Sequence, residues 1–312
     1  MQIYKNISDL PKDKNTVVTV GTFDGVHLGH QNIFEKLKLS ADENGYRSVI
    51  ITFDPHPRTV VSNDFNLKLL TTFDEKIDVL YDFDIDSLVI INFTEEFAKL
   101  NSEEFIKDYL VDGIAIKEFV IGHDHKFGKN RDGGENTLKL LGAKYGFDVL
   151  PVAPVQIEDQ IISSTKIRNL LLDGELILAN KMLGRNYFFD GIIVSGATRG
   201  RILGFPTANI NISDEYKLIP KTGVYAVECL LEKEIVYGVM NIGFRPTFEE
   251  HGSLVIEVHL FDFNREVYGQ KISVKLLNRL RDEIKFSSKE ELVYQIERDK
   301  RKAIQIIGSL IN

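Results

Sequence analysis

One cysteine, Cys229, is all the chain offers, so neither an intramolecular disulfide frame nor a cysteine-only zinc cage can hold it together. It sits in an apolar stretch, YAVECLL, where a buried strand thiol is the expected role. Positive charge is also scarce. Against 46 Asp and Glu stand 38 Lys and Arg, for a net charge of −8 and a pI of about 5.5. That balance argues against a sequence-independent grip on duplex nucleic acid, which needs a basic face. Nucleotides remain possible, because local dipoles, a few cations and Mg2+ can meet their phosphates. Long apolar runs are missing too. The opening segment MQIYKNISDLPKDK has no signal-like apolar core, and no run approaches the ~20 residues that span a bilayer. The chain lacks internal repeats, low-complexity tracts and the GxxxxGK[ST] pattern of a Walker A kinase. The expectation is a cytoplasmic protein with small-molecule substrates, no nucleic acid, no membrane and no obligate protein partner implied.

What is present suffices for about two cores: 312 residues, 43% of them hydrophobic. Residues 1–183 alternate two textures. TVVTV (16–20), RSVIITF (47–53), SLVIIN (87–92) and EFVIG (118–122) are strand-like. Helical spacing appears after residue 30 (Ile33, Phe34, Leu37), near 74–82, over 95–110 and over 133–146. Apolar strands separated by amphipathic helices predict an α/β domain with a Rossmann-like parallel sheet covered on both faces. Ligands of such sheets bind beyond the carboxyl ends of the strands. That places the turns after Val20, Phe53 and Ile121, and the segment at 163–165, on one rim. From Tyr187 onward, short strand candidates split by Gly, Pro and Asn turns predict an antiparallel β-barrel or sandwich. A long amphipathic helix over 287–310 closes the chain, with Ser288 and Glu291 at capping-box spacing. The expected domains are 1–183 and 184–312.

The first chemical motif is GTFDGVHLGH (21–30), between a strand and a helix. Gly25 and Gly29 allow a tight turn at the helix mouth, whose free N–H groups and positive dipole end attract anions. His27 and His30 add donors three residues apart. Taken alone, an HxxH pair is as often an incidental pair or a set of metal ligands as a nucleotide site; in this setting it reads as a phosphate site. Adenylyl transfer needs such donors, because charge builds on the α-phosphate and on leaving pyrophosphate. The second motif is RGRILGFPTANI (199–210). A Gly-rich turn, with Gly196 and Gly204 as candidates and Pro206 shaping the backbone without an N–H of its own, can bring backbone N–H groups to nucleotide phosphates. Thr207 offers a hydroxyl and Asn209 an amide oxygen, hard ligands that suit Mg2+. Two residues apart on an extended backbone, they share a face.

These motifs carry a resemblance. GTFDGVHLGH resembles the HxGH signature of the nucleotidyltransferase superfamily, in the form found in bacterial bifunctional riboflavin kinase/FMN adenylyltransferases. TFDPHP (52–57), IGHDHKFGKNRDG (121–133) and SSTKIRNLL (163–171) resemble that family's next segments in order. RGRILGFPTANI, TGVYAV, MNIGFRPTF, IEVHLFDFNREVYG and LRDEIKF then resemble its riboflavin kinase module, so the likeness covers essentially the whole chain.

The resemblance implies that the C-terminal domain phosphorylates riboflavin with ATP to FMN. The N-terminal domain then joins FMN to AMP, giving FAD and pyrophosphate. It implies ATP binding in the N-terminal domain by Gly21, Phe23, Gly25, His27, His30, Ser163, Ser164, Thr165 and Arg168, with His27, His30 and Arg168 catalytic. Ser163, Ser164 and Thr165 are otherwise simply a helix cap, and His56 a rigid turn between prolines. Flavin contacts are implied for Asp124, His125, Phe127, Arg281 and Glu283. His125 and Lys126 depart from the usual Phe and Arg, and Thr22 stands where Asn is frequent. His125 otherwise reads as an exposed loop side chain, and Arg281 with Glu283 as surface charges. Glu257 matches the kinase base, the other reading being an outward strand residue. Two rival functions stay open at this level. One is a transferase with another acceptor, of pantetheine-phosphate or cytidylyl type. The other is a non-catalytic flavin-binding or regulatory protein.

Overall fold

The computed structural model describes residues 1–62, 68–123, 125–129, 132–195, 204–244 and 254–311. Two compact units emerge from packing. Met1–Leu67 with Phe73–Ser164 form the first, and Lys68–Thr72 with Thr165–Asn312 the second.

The first unit contains β1 (Gln2–Tyr4), β2 (Thr16–Val20), α1 (Leu28–Asn44), β3 (Arg47–Asp54), α2 (Pro57–Val61), α3 (Phe73–Leu80) and β4 (Ser87–Asn92). Then come α4 (Ser102–Glu104), β5 (Glu118–Gly122), α5 (Glu135–Tyr145), β6 (Asp148–Val152) and a small hairpin, β7 (Gln156–Ile157) with β8 (Gln160–Ile161). The six strands β1 to β6 form one parallel sheet in the order β1-β4-β3-β2-β5-β6. Strand alternation builds its two cores. Val18, Val20, Val49 and Ile51 pack on one face with Phe105, Leu110 and Phe119. Val17, Ile50 and Leu88 pack on the other with Phe34 and Leu37 of α1. A sheet buried on both faces explains why its strands read as unbroken apolar runs. The strand order reverses between β2 and β5, and in such sheets ligands occupy the crevice at that point.

Two local differences from expectation have clear causes. The short β1 had too few residues to register as a strand. The helix expected over 95–110 is split into a 3-10 turn at Phe97–Lys99 and a helix that restarts at α4 and continues as a π-helix over Phe105–Ile114. Asn101 causes the restart. Its side chain accepts from Glu104 N and the Glu104 carboxylate accepts from Asn101 N, both at 2.9 Å, a closed capping box.

The second unit begins with most of α6 (Ser164–Asp173) and with α7 (Leu176–Leu183). Six antiparallel strands follow: β9 (Phe188–Val194), β10 (Ala208–Asn211), β11 (Gly223–Leu231), β12 (Glu234–Phe244), β13 (Leu254–Leu260) and β14 (Lys271–Arg281). They close into a barrel, so of the barrel and sandwich alternatives the barrel is correct. The long α8 (Lys289–Ile311) lays Ala303 and Ile307 against Val224, Ala226, Leu277 and Leu280. Ser288 Oγ caps Glu291 N at 3.2 Å, while the Glu291 carboxylate reaches back to Ser287 N at 3.0 Å. Cys229 is fully buried in β11, and burial pushes its thiol pKa far up.

Packing places α7 and the latter part of α6 with the barrel, earlier than the expected division at 183/184. Asn180 explains the association: its amide donates to Leu276 O at 3.0 Å and its side-chain oxygen accepts from Tyr187 N at 2.8 Å. The strap Lys68–Thr72 also belongs here. Lys217, 3% exposed, donates to Leu70 O and to Phe188 O, each at 2.8 Å.

Candidate active sites

The β2–α1 turn is tightly wound. Phe23 (φ 48°), Gly25 (φ 81°) and Val26 (φ 40°) all take left-handed backbone. For Phe and Val that conformation is disfavoured, and such residues persist only where surrounding packing enforces them, often at functional sites. Both side chains are buried, in the core cluster with Phe34. Gly21 is required by space, because a Cβ there would sit 2.8 Å from the Phe23 ring. Gly29 leaves room for His27, since its Cβ would lie 3.1 Å from that ring.

His27 is the N-cap of α1. Its Nδ1 accepts from His30 N at 3.4 Å. A backbone N–H on Nδ1 leaves Nε2 as the ring nitrogen that carries the proton. The two imidazoles stack with centroids 3.6 Å apart and planes 18° apart, and Phe23 meets His30 edge-on at 5.3 Å. The signature thus presents two stacked imidazoles at the N-terminus of α1.

Ser164 opens α6 and donates to Asp24 O at 2.9 Å, so the SST segment and the signature turn do meet. Arg168 lies one turn along α6, 7% exposed, with Thr165 Oγ1 at 3.4 Å from Nη1. His56 caps α2, its Nδ1 accepting from Arg58 N at 3.2 Å.

The loop after β5 contributes an aromatic stack. Phe127 is closed onto Gly133 by a two-way backbone pair. Its ring lies 5.9 Å from His125 at 25° and 6.3 Å from Phe119 at 23°, with Phe105 behind at 6.1 Å. His125 is therefore half-buried against Phe127, not an exposed loop side chain. Asp124 and Gly196 lie outside the described residues.

Sequence reasoning missed Lys76. It sits on α3, 7% exposed, and donates to Thr22 O at 3.2 Å and Thr52 Oγ1 at 3.0 Å. Burial pulls its pKa down to about 8, against the opposing pull of Asp24 and Asp54. The signal was available: Phe73, Lys76, Ile77 and Leu80 follow the apolar spacing of an amphipathic helix, with a lysine in a core position.

On the barrel, Asn209 of β10 stands directly opposite Glu257 of β13, which stands directly opposite Asn241 of β12. Cross-strand partners share a face, so a carboxylate lies between two carboxamides. Asn241 was quoted only within MNIGFRPTF; its register with Glu257 depends on strand pairing that the sequence does not reveal. Glu283 comes to the same strand end, since a Cβ on Gly243 would collide with its carboxylate.

The FPT turn before β10 is fixed by His259. Its Nδ1 bonds Pro206 O at 2.9 Å, and Phe205 meets the ring edge-on at 5.5 Å. Burial lowers the His259 pKa, opposed by the Pro206 bond. Gly204 takes φ 84° at the start of this turn. Arg281 is paired to α8. Its Nε and Nη2 grip the buried Asp299 of α8 at 2.9 and 2.7 Å, and Gln295 adds a 2.8 Å bond to the same carboxylate. Among the described residues no cluster of three His, Cys, Asp or Glu is placed to cage a metal. No described helix is long and apolar enough to cross a membrane.

Comparison with known proteins agrees with both halves. A family model described as FAD synthetase matches residues 9–166, and one described as riboflavin kinase matches residues 183–307. A bifunctional riboflavin kinase/FMN adenylyltransferase of Bacillus subtilis is 40% identical over 302 residues, 95% of this chain and 93% of the relative. Those of Buchnera aphidicola subsp. Schizaphis graminum and Escherichia coli K12 are 39% and 36% identical; they cover 100% and 97% of this chain and 99% and 96% of their own length. A crystal structure from Streptococcus pneumoniae, named a macrolide-efflux protein, superposes with a TM-score of 0.86 at 32% identity, covering 96% of this chain and 97% of its own.

Proposed function

The chain belongs to the bifunctional riboflavin kinase/FMN adenylyltransferase family, and from that premise we propose which residues perform each reaction. It phosphorylates riboflavin in its C-terminal part and adenylylates FMN in its N-terminal part. ATP, riboflavin, FMN and FAD are its substrates and products.

In the kinase, Glu257 is the general base. It takes the proton of the riboflavin 5′-hydroxyl as that oxygen attacks the γ-phosphorus of ATP; the bond to the β,γ-bridging oxygen breaks and ADP leaves. Asn209 and Asn241 flank the carboxylate and hold its orientation. Gly204 and Pro206 belong to the turn that cradles the nucleotide, which His259 fastens to β13. Thr207 and Asn209 supply the hard oxygen donors that Mg2+ prefers. When bound there, the ion supplies positive charge against the phosphates. Glu283 faces the flavin, and Arg281 serves chiefly to tie β14 to α8.

In the adenylyltransferase, the FMN phosphate is already an anion and attacks the α-phosphorus directly, with pyrophosphate leaving. No strong base is needed. His27 and His30, with the N–H groups of the β2–α1 turn, neutralise charge that builds on the phosphates. Gly21, Phe23 and Gly25 shape that turn. Ser163, Ser164, Thr165 and Arg168 hold the leaving end of the triphosphate, Arg through its bidentate fork. The Phe127 stack gives the isoalloxazine a flat partner, with His125 beside it. We keep 183/184 as the division between activities, supported by the riboflavin kinase match that starts at 183. The setting we propose is the cytoplasm.

The observation that supports this assignment is the register of Asn209 against Glu257, two side chains on one face to which we give the roles of Mg2+ donor and base. Incubation with riboflavin, ATP and Mg2+, followed by flavin chromatography, tests the function as a whole. FMN should rise first and FAD follow at its expense.

A further inference from the structure

The buried ammonium of Lys76 has a particular aim. It contacts Thr22, the residue before Phe23 in the signature turn, through the carbonyl oxygen and not the side chain. In a planar trans peptide the carbonyl and the next N–H point in opposite directions. Fixing Thr22 O toward Lys76 therefore fixes Phe23 N–H away from it. Phe23 is also the first of the turn's left-handed residues, and alternation of backbone handedness is how consecutive N–H groups are gathered around an anion.

We propose that Lys76 is a positioning residue for adenylyl transfer, which holds the Thr22 carbonyl inward and so turns the Phe23 N–H outward toward the nucleotide phosphates. This rests on the reading of the β2–α1 turn as the adenylyl-transfer site. Three further observations fit the role. Thr52 Oγ1, at the end of β3, takes a second bond from the same ammonium at 3.0 Å and lies 3.5 Å from Thr22 O. The ammonium thereby joins the ends of two neighbouring strands at the rim. Asp24 and Asp54, from the turn after β2 and from the end of β3, are the charged groups that favour its protonated form. The aromatic ring of Phe73, on its own helix, lies 5.4 Å away. A lysine kept only for solubility has no reason to stand 7% exposed on the inner side of α3.

The test uses the full chain, FMN and Mg·ATP, with kcat and KM for ATP measured in FAD formation between about pH 6.5 and 9.5. Far-UV circular dichroism and the urea unfolding profile of the same preparations report whether the unit that carries Lys76 is intact in each variant, and riboflavin phosphorylation reports on the barrel. Lys76→Met should lower kcat/KM for ATP about tenfold to a hundredfold, the scale on which a small misplacement of a binding group acts, with kinase activity within about two-fold. The wild type should lose kcat/KM as pH rises through about 8 and beyond, where the ammonium deprotonates. Lys76→Arg, which stays charged, should lack that alkaline limb. A residue that served only stability would leave the limb in place. FAD formation by Lys76→Met within about two-fold of wild type would overturn the proposal. If that variant does not fold, a wild-type profile flat to about pH 9.5 overturns it equally. His30→Ala separates this from the underlying reading. An active His30→Ala sinks the site assignment itself, whereas an inactive His30→Ala beside an active Lys76→Met sinks only the role of Lys76.

Discussion

The Ser164 hydroxyl donates to the main-chain oxygen of Asp24 at 2.9 Å, joining the first turn of α6 to the turn after β2 across 140 positions of sequence. Asp24 is buried, and its carboxylate also acts on Lys76. The bond ties the Ser164 hydroxyl to the turn that carries the His27–His30 pair.

Removing that bond should be felt in one activity only. Ser164→Ala should reduce FAD formation from FMN by about tenfold, since the bond orients the turn and the hydroxyl is proposed to meet phosphate. Riboflavin phosphorylation should stay within about two-fold of wild type. Flavin chromatography from FMN and from riboflavin in parallel checks both.

Asn241 should matter to the kinase although no chemistry is assigned to it. Asn241→Leu leaves Glu257 beside an apolar group on one side. The kinase kcat should fall by about tenfold or more, as for a base whose orientation is loosened. KM for riboflavin should change little, and FAD formation from FMN should not change. A kcat within about two-fold of wild type would show that the register with Glu257 is incidental.

Lys76 gives stability and activity opposite dependences on pH. Its folded pKa, about 8, is lower than the 10.5 of an unperturbed lysine. Between those values the unfolded state binds the extra proton, so stability from this group rises with pH. A penalty on the order of 3 kcal/mol is fully present below about pH 8 and gone above about 10.5. Urea unfolding of the wild type should therefore gain relative to Lys76→Met between about pH 7.5 and 10. A difference that stays constant, or that shrinks, contradicts the burial of a charged lysine there.

The barrel needs more chain than its kinase motifs span. A fragment 184–312 loses Leu70 O from the buried Lys217, Leu171 O from Lys221 N, and both Asn180 bonds. Each lost bond costs about 1 kcal/mol, and more for the charged lysine. The fragment 165–312 retains the Leu171 and Asn180 bonds, so its urea midpoint should be clearly higher and its kinase yield larger. Equal midpoints would show that α6 and α7 only lean on the barrel.

Much of this was legible in the sequence because it is local. TVVTV and RSVIITF announce buried strands by composition, and GTFDGVHLGH announces a strand–turn–helix by its glycines. Ser288 and Glu291, at capping-box spacing, mark the start of α8. What stayed hidden depends on contacts distant in sequence. Asn209, Glu257 and Asn241 become neighbours only through barrel register. The pairing of Arg281 with Asp299 likewise joins segments far apart in sequence. The strap at 68–72 carries no motif at all. Lys76 lies between these cases: its core position on α3 was readable, but its contact with Thr22 O was not.

The central claim is that two separate sites act in sequence through free FMN, one built around Glu257 and one around His30. Glu257→Gln keeps the shape of the carboxylate and removes proton acceptance, worth roughly 10²–10⁴-fold in FMN formation. His30→Ala should cost about 10²-fold in adenylyl transfer. The decisive measurement mixes the two full-length variants with riboflavin, ATP and Mg2+ and follows FAD by chromatography. Glu257→Gln alone should leave riboflavin unconverted, and His30→Ala alone should stop at FMN. The mixture should form FAD after a lag in which FMN accumulates. A mixture that makes no more FAD than its two components apart, or either variant making FAD at the wild-type rate, would contradict the account.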